Sequence, residues 1–249
     1  MRPAHSYVLR DPAAAGERAA ELADAAIRIQ PEIVLALPTG STPLPMYAAL
    51  VRLHRENGTD WSQVTTFNLD EYVGIGSDHP ESYALYMETS LFHGVNLSLE
   101  RRHLPDGMAP DPHHEAARYE AAIDRAHGID LAVVGVGVNG HLGFNEPATA
   151  LSGVTHVADL APETWLRNFP NMADGAPGVG GAPLPFRTAL TMGIGTILRA
   201  RRIMLLATGE TKSEIVRQAL TGPITTQNPA SLLQLHHDVT VILDSAAAG

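Results

Sequence analysis

Two carboxylates stand side by side at Asp70 and Glu71, in the run Phe67-Asn68-Leu69-Asp70-Glu71-Tyr72. A carboxylate beside a bound substrate can move a proton between neighbouring carbons. The plainer alternative is an acidic cap on a helix or turn. A second group, Asn139, His141 and Glu146, sits in a glycine-rich stretch. An imidazole that titrates near neutrality and is oriented by a carboxylate makes a proton shuttle. A third, Pro38-Thr39-Gly40-Ser41-Thr42, offers backbone N–H groups and two hydroxyls where a helix opens, which suits a phosphate. It lacks the Gly-Lys-Ser/Thr ending of a Walker loop, and an ordinary Ser/Thr-capped turn is the alternative. Lys212, just inside another helix start, is unfavourably placed for the helix dipole unless it faces an anion.

Gly135, Gly137 and Gly140 spell Gly-x-Gly-x-x-Gly, with Asp159 downstream, so a dinucleotide site must be weighed. That fingerprint needs a helix to begin at once, and here the chain runs through Leu142-Gly143-Phe144-Asn145-Glu146 into Pro147. The dinucleotide reading is set aside on that ground. The pairs His113-His114 and His236-His237 are adjacent, and adjacent side chains diverge on a helix, so neither is read as a metal site.

Each chemical group needs an element to hold it. Periodicity predicts helices over residues 12–30, 43–55, 80–92, 112–126 and 210–220, and strands over 33–37, 64–68, 129–136, 202–207 and 239–243. Continuous apolar strands alternating with helices imply a parallel sheet covered on both faces. The ligand of such a sheet lies beyond the carboxyl ends of its strands, where all these groups fall. Residues 173–185, rich in Gly, Ala and Pro, read as a surface loop or a lid.

Composition narrows the function further. The 249-residue chain is 45% hydrophobic and 18% charged, a globular balance. It contains no cysteine, which excludes disulfides, thiolate nucleophiles and cysteine-ligated zinc, including the zinc chemistry of base deaminases. With a formal charge of −10 and no basic run, nucleic acid is not an expected partner. The apolar runs are too short to span a bilayer and the N-terminus has no signal pattern, so no membrane partner is expected and the cytoplasm is the expected compartment.

In their order these stretches resemble the glucosamine-6-phosphate deaminase (isomerase) family, which is similar in fold to the 6-phosphogluconolactonases. The resemblance is carried by PTGSTP, FNLDEYVG followed by HPESY, GVGVNGHLGFNEP, ALTMGIGTIL and TGETK. Tyr72 and the Asn145-Glu146-Pro147 ending resemble the deaminase branch, since lactonases typically carry Asp-Glu-Arg and a different ending. The resemblance implies a single domain over residues 1–249, a three-layer α/β/α modified Rossmann-like sheet, and a mechanism with no cofactor and no metal. It implies that His141 opens the sugar ring, oriented by Glu146 and Asn139. Asp70 would move the proton from C2 to C1, with Glu71 tuning it, and a ketose 6-phosphate and ammonia would result. Substrate and phosphate contacts would fall to Thr39, Gly40, Ser41, Thr42, Gly137 and Lys212.

The chain departs from the family at Ser152-Gly153-Val154-Thr155, where members commonly carry Ser-Arg-Thr. It departs again where an arginine usually meets the phosphate: Arg167 is displaced and Pro170 or its neighbour stands there. These stretches also serve the allosteric site of hexameric members that respond to N-acetylglucosamine 6-phosphate, and that regulation is not expected here. Galactosamine 6-phosphate is the nearest alternative substrate; a lactonase and a non-catalytic sugar-phosphate sensor are the more distant readings. Monomer and homo-oligomer both remain open.

Overall fold

Short apolar runs bounded by Pro, Gly or polar turns form the central strands. In the computed structural model, residues 5–169 and 187–249 are described. Seven strands make one parallel sheet: β1 His5–Leu9, β2 Val34–Leu37, β3 Thr65–Asn68, β5 Arg102–His103, β6 Leu131–Val134, β9 Arg202–Ala207 and β10 Val239–Asp244. Their order is β1-β10-β9-β6-β2-β3-β5. Three more, β4 Asp70–Tyr72, β7 His156–Asp159 and β8 Thr188–Thr191, form a small antiparallel sheet ordered β4-β8-β7.

Side chains alternate across a strand, and here each face of the large sheet meets its own helical layer. Leu35, Leu37, Leu131, Val133, Met204 and Leu206 pack with α1 Pro12–Ile29, α2 Leu44–Asn57 and α3 Tyr83–Ser90. Val34, Ala36, Ala132, Val134, Ile203 and Leu205 face α4 Pro112–Arg125, α6 Ile194–Leu198, α7 Ser213–Thr221 and α8 Ser245–Ala248. A further helix, α5 Pro162–Asn168, lies between β7 and β8 in the chain. Truncating a side chain such as Leu35 to alanine in this interior costs about 2–5 kcal/mol. The three-layer α/β/α architecture is the one expected from the sequence.

The site is placed by the order of strands. From β2 the chain steps to β3 and β5 on one side, while β6 begins the run to β9 and β10 on the other. The β2 and β6 carboxyl ends therefore open a crevice between them. The chain also changes sheets at one residue: Leu69 N–H still donates to Leu37 O at 3.2 Å, while Leu69 O accepts from Met192 N at 2.7 Å. Asp70 follows, already paired with Thr191 in the small sheet.

Some boundaries differ from the sequence reading. The helix expected from residue 80 begins at Tyr83, because Ser82 caps it by accepting from Ala84 N at 3.0 Å while Pro80 lies in the preceding turn. The helix expected over 210–220 is a 3-10 turn, Glu210–Lys212, that runs into α7. The strand expected over 129–136 is confined to β6, and Gly135 and Val136 already belong to the loop. The 173–185 segment and Pro170 lie outside the described residues. No described helix is long and apolar enough to cross a membrane.

Candidate active site

A cleft of about 210 Å³ opens at the carboxyl ends of β2, β3, β6 and β9. It suits a monosaccharide phosphate and is smaller than the roughly 300–1,000 Å³ pockets that hold drug-sized ligands. No helix follows Gly140, so the glycine pattern at 135–140 lacks the helix start on which a dinucleotide pyrophosphate rests.

Asp70 lines this cleft and is 6% exposed. Burial, and after it the neighbouring charge of Glu71, push the Asp70 carboxyl up to about 8. That is an acid held near neutrality, suited to taking and returning a proton.

Glu71 does not line the cleft. Its side chain turns to the start of α3, where it accepts from Ser82 Oγ at 2.8 Å, Tyr72 N at 2.9 Å, Ala84 N at 3.0 Å and Tyr83 N at 3.2 Å. Burial raises the Glu71 pKa against the pull of these four donors. Glu71 therefore acts on Asp70 from behind, through charge and through the backbone they share.

The loop after β6 builds the second group. Asn139 Nδ2 donates to Glu146 Oε2 at 2.6 Å, and Asn139 Oδ1 accepts from His141 N at 3.2 Å. The same Glu146 oxygen lies 3.4 Å from His141 Nδ1, which leaves Nε2 on the far side of the ring. Burial raises Glu146, but His141, Thr164 and Asn139 outweigh it and hold the carboxyl below its ordinary value. Asn139 and His141 line the cleft, while Glu146 stands behind them. The loop is closed by Gly137 N donating to His141 O at 2.9 Å and tied to the small sheet by Phe144 N donating to Thr191 Oγ1 at 3.0 Å.

Thr39, Gly40, Ser41 and Thr42 form the opposite wall, ahead of α2. Tyr47 holds this turn by donating to Pro38 O at 2.5 Å, and Tyr86 by donating to Gly40 O at 2.6 Å. Lys212 reaches the cleft from the turn after β9, and its Nζ donates to Val136 O at 2.8 Å. An anion between the Ser41-Thr42 turn and Lys212 would meet hydroxyls and one ammonium.

Nine of the eleven residues singled out from the sequence share this cleft, Glu71 and Glu146 being the two behind it. The sequence reading missed Tyr83, Thr164 and Asn168, which also line it. Tyr83 lay in the HPESY stretch. Thr164 and Asn168 are four residues apart on α5, a spacing that puts them on one helix face and could have signalled them. The 152–155 segment does not reach the cleft. It is stitched to α6, with Ile194 N donating to Ser152 O at 3.1 Å and Thr196 N to Gly153 O at 2.9 Å. Arg167 falls on α5 rather than in a loop. His113 and His114 are a solvent-facing pair at the start of α4, and His236 is buried with Nε2 2.7 Å from Ala200 O. Among the described residues no cluster of three acidic or histidine side chains could hold a metal ion.

Comparison with known proteins points the same way. The family model described as glucosamine-6-phosphate isomerases/6-phosphogluconolactonase matches residues 12–144 and 155–242. A glucosamine-6-phosphate deaminase of Thermoanaerobacter sp. (strain X514) is 43% identical over 234 residues, 93% of this chain and 89% of the relative. That of Alkaliphilus metalliredigens (strain QYMF) is 44% identical over 245 residues, 97% of each chain. A solved structure of a monomeric glucosamine-6-phosphate deaminase superposes with a TM-score of 0.89 at 39% identity, covering 98% of both chains. The 6-phosphogluconolactonase of Trypanosoma brucei superposes at 0.73 and 20% identity over 100% of this chain and 98% of its own, a likeness of fold.

Proposed function

The chain belongs to the family of glucosamine-6-phosphate isomerases and 6-phosphogluconolactonases, and we propose that within it the protein is a glucosamine-6-phosphate deaminase. It converts glucosamine 6-phosphate and water to fructose 6-phosphate and ammonia. The observation that carries this reading is that one cleft brings together a buried carboxyl raised to about 8, an imidazole–carboxylate pair and an anion cradle.

Each part answers one need of the reaction. His141, oriented by Glu146 and Asn139, moves a proton from the anomeric hydroxyl to the ring oxygen and opens the sugar. Asp70 then takes the C2 proton while the C1 oxygen gains one, which gives an enolamine. Return of the proton to C1, with the amino group giving one proton up, gives an imine at C2, and water releases ammonia from it to leave the ketone. This last step is the hydrolytic one. Ser41, Thr42 and Lys212 hold the 6-phosphate and so fix C2 against Asp70. Glu71 keeps Asp70 in the proton-accepting range. A sugar phosphate does not cross a bilayer unaided, so this reading places the enzyme in the cytoplasm with its substrate.

The test is ammonia release by the purified protein, without added metal, from glucosamine 6-phosphate and separately from galactosamine 6-phosphate. Release from the first is expected. Release from the second alone would change the sugar but keep the chemistry. Hydrolysis of 6-phosphogluconolactone with no ammonia from either amino sugar would overturn the reading in favour of the lactonase branch.

A further inference from the structure

Asp244 closes β10, is 2% exposed and does not line the cleft. Its two carboxylate oxygens both accept from Gly209 N, at 3.0 and 3.1 Å. One of them also accepts from Ala247 N at 2.8 Å and so caps α8. A single buried carboxylate thus ties the C-terminal helix to the turn that follows β9.

That turn carries Lys212. Gly209 has φ 92° and ψ 146°, a backbone conformation that is costly for any residue with a Cβ. Its N–H faces Asp244, while its carbonyl accepts from Lys212 N at 3.0 Å. Three residues later the Lys212 ammonium enters the cleft and donates to Val136 O. A lysine side chain has four rotatable bonds, so where its ammonium stands depends on how firmly its backbone root is held. We propose that Asp244 is a positioning residue for the phosphate of the substrate: by fixing the Gly209 N–H it fixes the root from which Lys212 reaches the anion. This rests on the reading of Lys212 as the phosphate contact, and it goes further by assigning a buried group that the chemistry does not use.

Capping α8 and holding Gly209 are separable. In Asp244→Ser the hydroxyl still caps α8, since serine is a good N-cap, but it is too short to keep both bonds to Gly209. The expected result is a KM for glucosamine 6-phosphate raised about tenfold, the loss of one hydrogen bond to a charged group, with kcat within about twofold. The inhibition constant of inorganic phosphate rises in parallel. In a Lys212→Ala background, Asp244→Ser adds nothing further, because both changes remove one interaction.

An unchanged KM in folded Asp244→Ser protein overturns the proposal, as does a fall in kcat alone or an additive effect in the double variant. If the serine variant does not fold, Asp244→Asn takes its place, since it keeps the cap and one oxygen for Gly209, and a smaller rise in KM is expected. Inorganic phosphate binding measured by calorimetry separates the two readings. A wild type that binds phosphate but releases no ammonia refutes the deaminase reading, and weaker phosphate binding by Asp244→Ser still upholds the positioning role.

Discussion

Gly137 lies against the imidazole of His141 so closely that a Cβ there would stand 2.3 Å from its Cε1 and Nε2. The same glycine donates its N–H to the His141 carbonyl, so residue and ring are held from two sides. In Gly137→Ala the ring must swing away, and its Nδ1 must leave Glu146. A displacement of about 1 Å in a proton shuttle costs on the order of a hundredfold in rate. The expected outcome is a kcat reduced by that order with phosphate inhibition little changed. Wild-type kcat would show that this contact does not place the ring.

On the proposed reaction the Asp70 carboxyl, raised from 3.8 to about 8, sets the expected pH behaviour. A base must be ionised, so kcat/KM should fall as pH drops through about 8. The stability consequence has the opposite sense. The folded state keeps the Asp70 proton up to about pH 8 and the unfolded chain gives it up near 3.8, so burial costs nothing below about pH 4, progressively more above that, and the full amount beyond 8. Asp70→Asn should therefore lose turnover yet melt higher than wild type at pH 9, with the difference shrinking at pH 5. Equal melting temperatures at pH 9 would refute the raised carboxyl.

Glu71→Gln separates tuning from chemistry. Removing the second charge lowers the Asp70 pKa, so the acid limb of the rate profile should move to lower pH. The substituted amide cannot accept from all four donors at the α3 start, and a loss of about 1–3 kcal/mol in stability is expected. An acid limb that stays in place would show that Glu71 does not act on Asp70 through its charge.

Tyr72 ties the small sheet to both sides of the cleft. Its hydroxyl accepts from Asn168 Nδ2 at 2.9 Å and lies 2.9 Å from the Tyr83 hydroxyl, and both of those residues line the cleft. Tyr72→Phe keeps the ring contacts with Tyr83, Phe144 and Phe169 but frees α5 from this link. One neutral hydrogen bond is worth about 0.5–1.5 kcal/mol, so KM should rise roughly two- to tenfold with a smaller effect on kcat. A kcat loss without a KM change would assign the hydroxyl to the chemistry instead.

The large sheet was legible because its central strands are apolar on both faces. Four of them, β2, β6, β9 and β10, are almost wholly buried, and each appears in the sequence as a mainly apolar run, interrupted only by Arg202 at the start of β9 and by Thr240 and Asp244 in β10. β1 was not read, since as an edge strand it is largely exposed and its His5-Ser6-Tyr7-Val8-Leu9 pattern is mixed. The small sheet was illegible for a different reason. Its β4 is three residues long and begins with the Asp70-Glu71 pair, so chemistry occupies the positions where a hydrophobic pattern would show. Motif spacing found the groups that meet the cleft by chain neighbourhood, and it missed the face of α5, whose role depends on how two sheets are set against each other.

That setting has a consequence for variation. Leu69 bonds to one sheet on its N–H side and to the other on its carbonyl side, so Asp70 stands on a seam. One inserted residue at the seam would turn the Asp70 side chain to the opposite face of the small sheet. On the proposed mechanism the lengths of β3 and β4 are therefore locked together, while β8 is held both at the seam, next to Met192, and to the loop after β6 through Thr191. α5 brings Thr164 and Asn168 to the same cleft without sharing that seam, so on the proposed mechanism substitutions there would reshape the wall of the cleft and leave the register of Asp70 untouched.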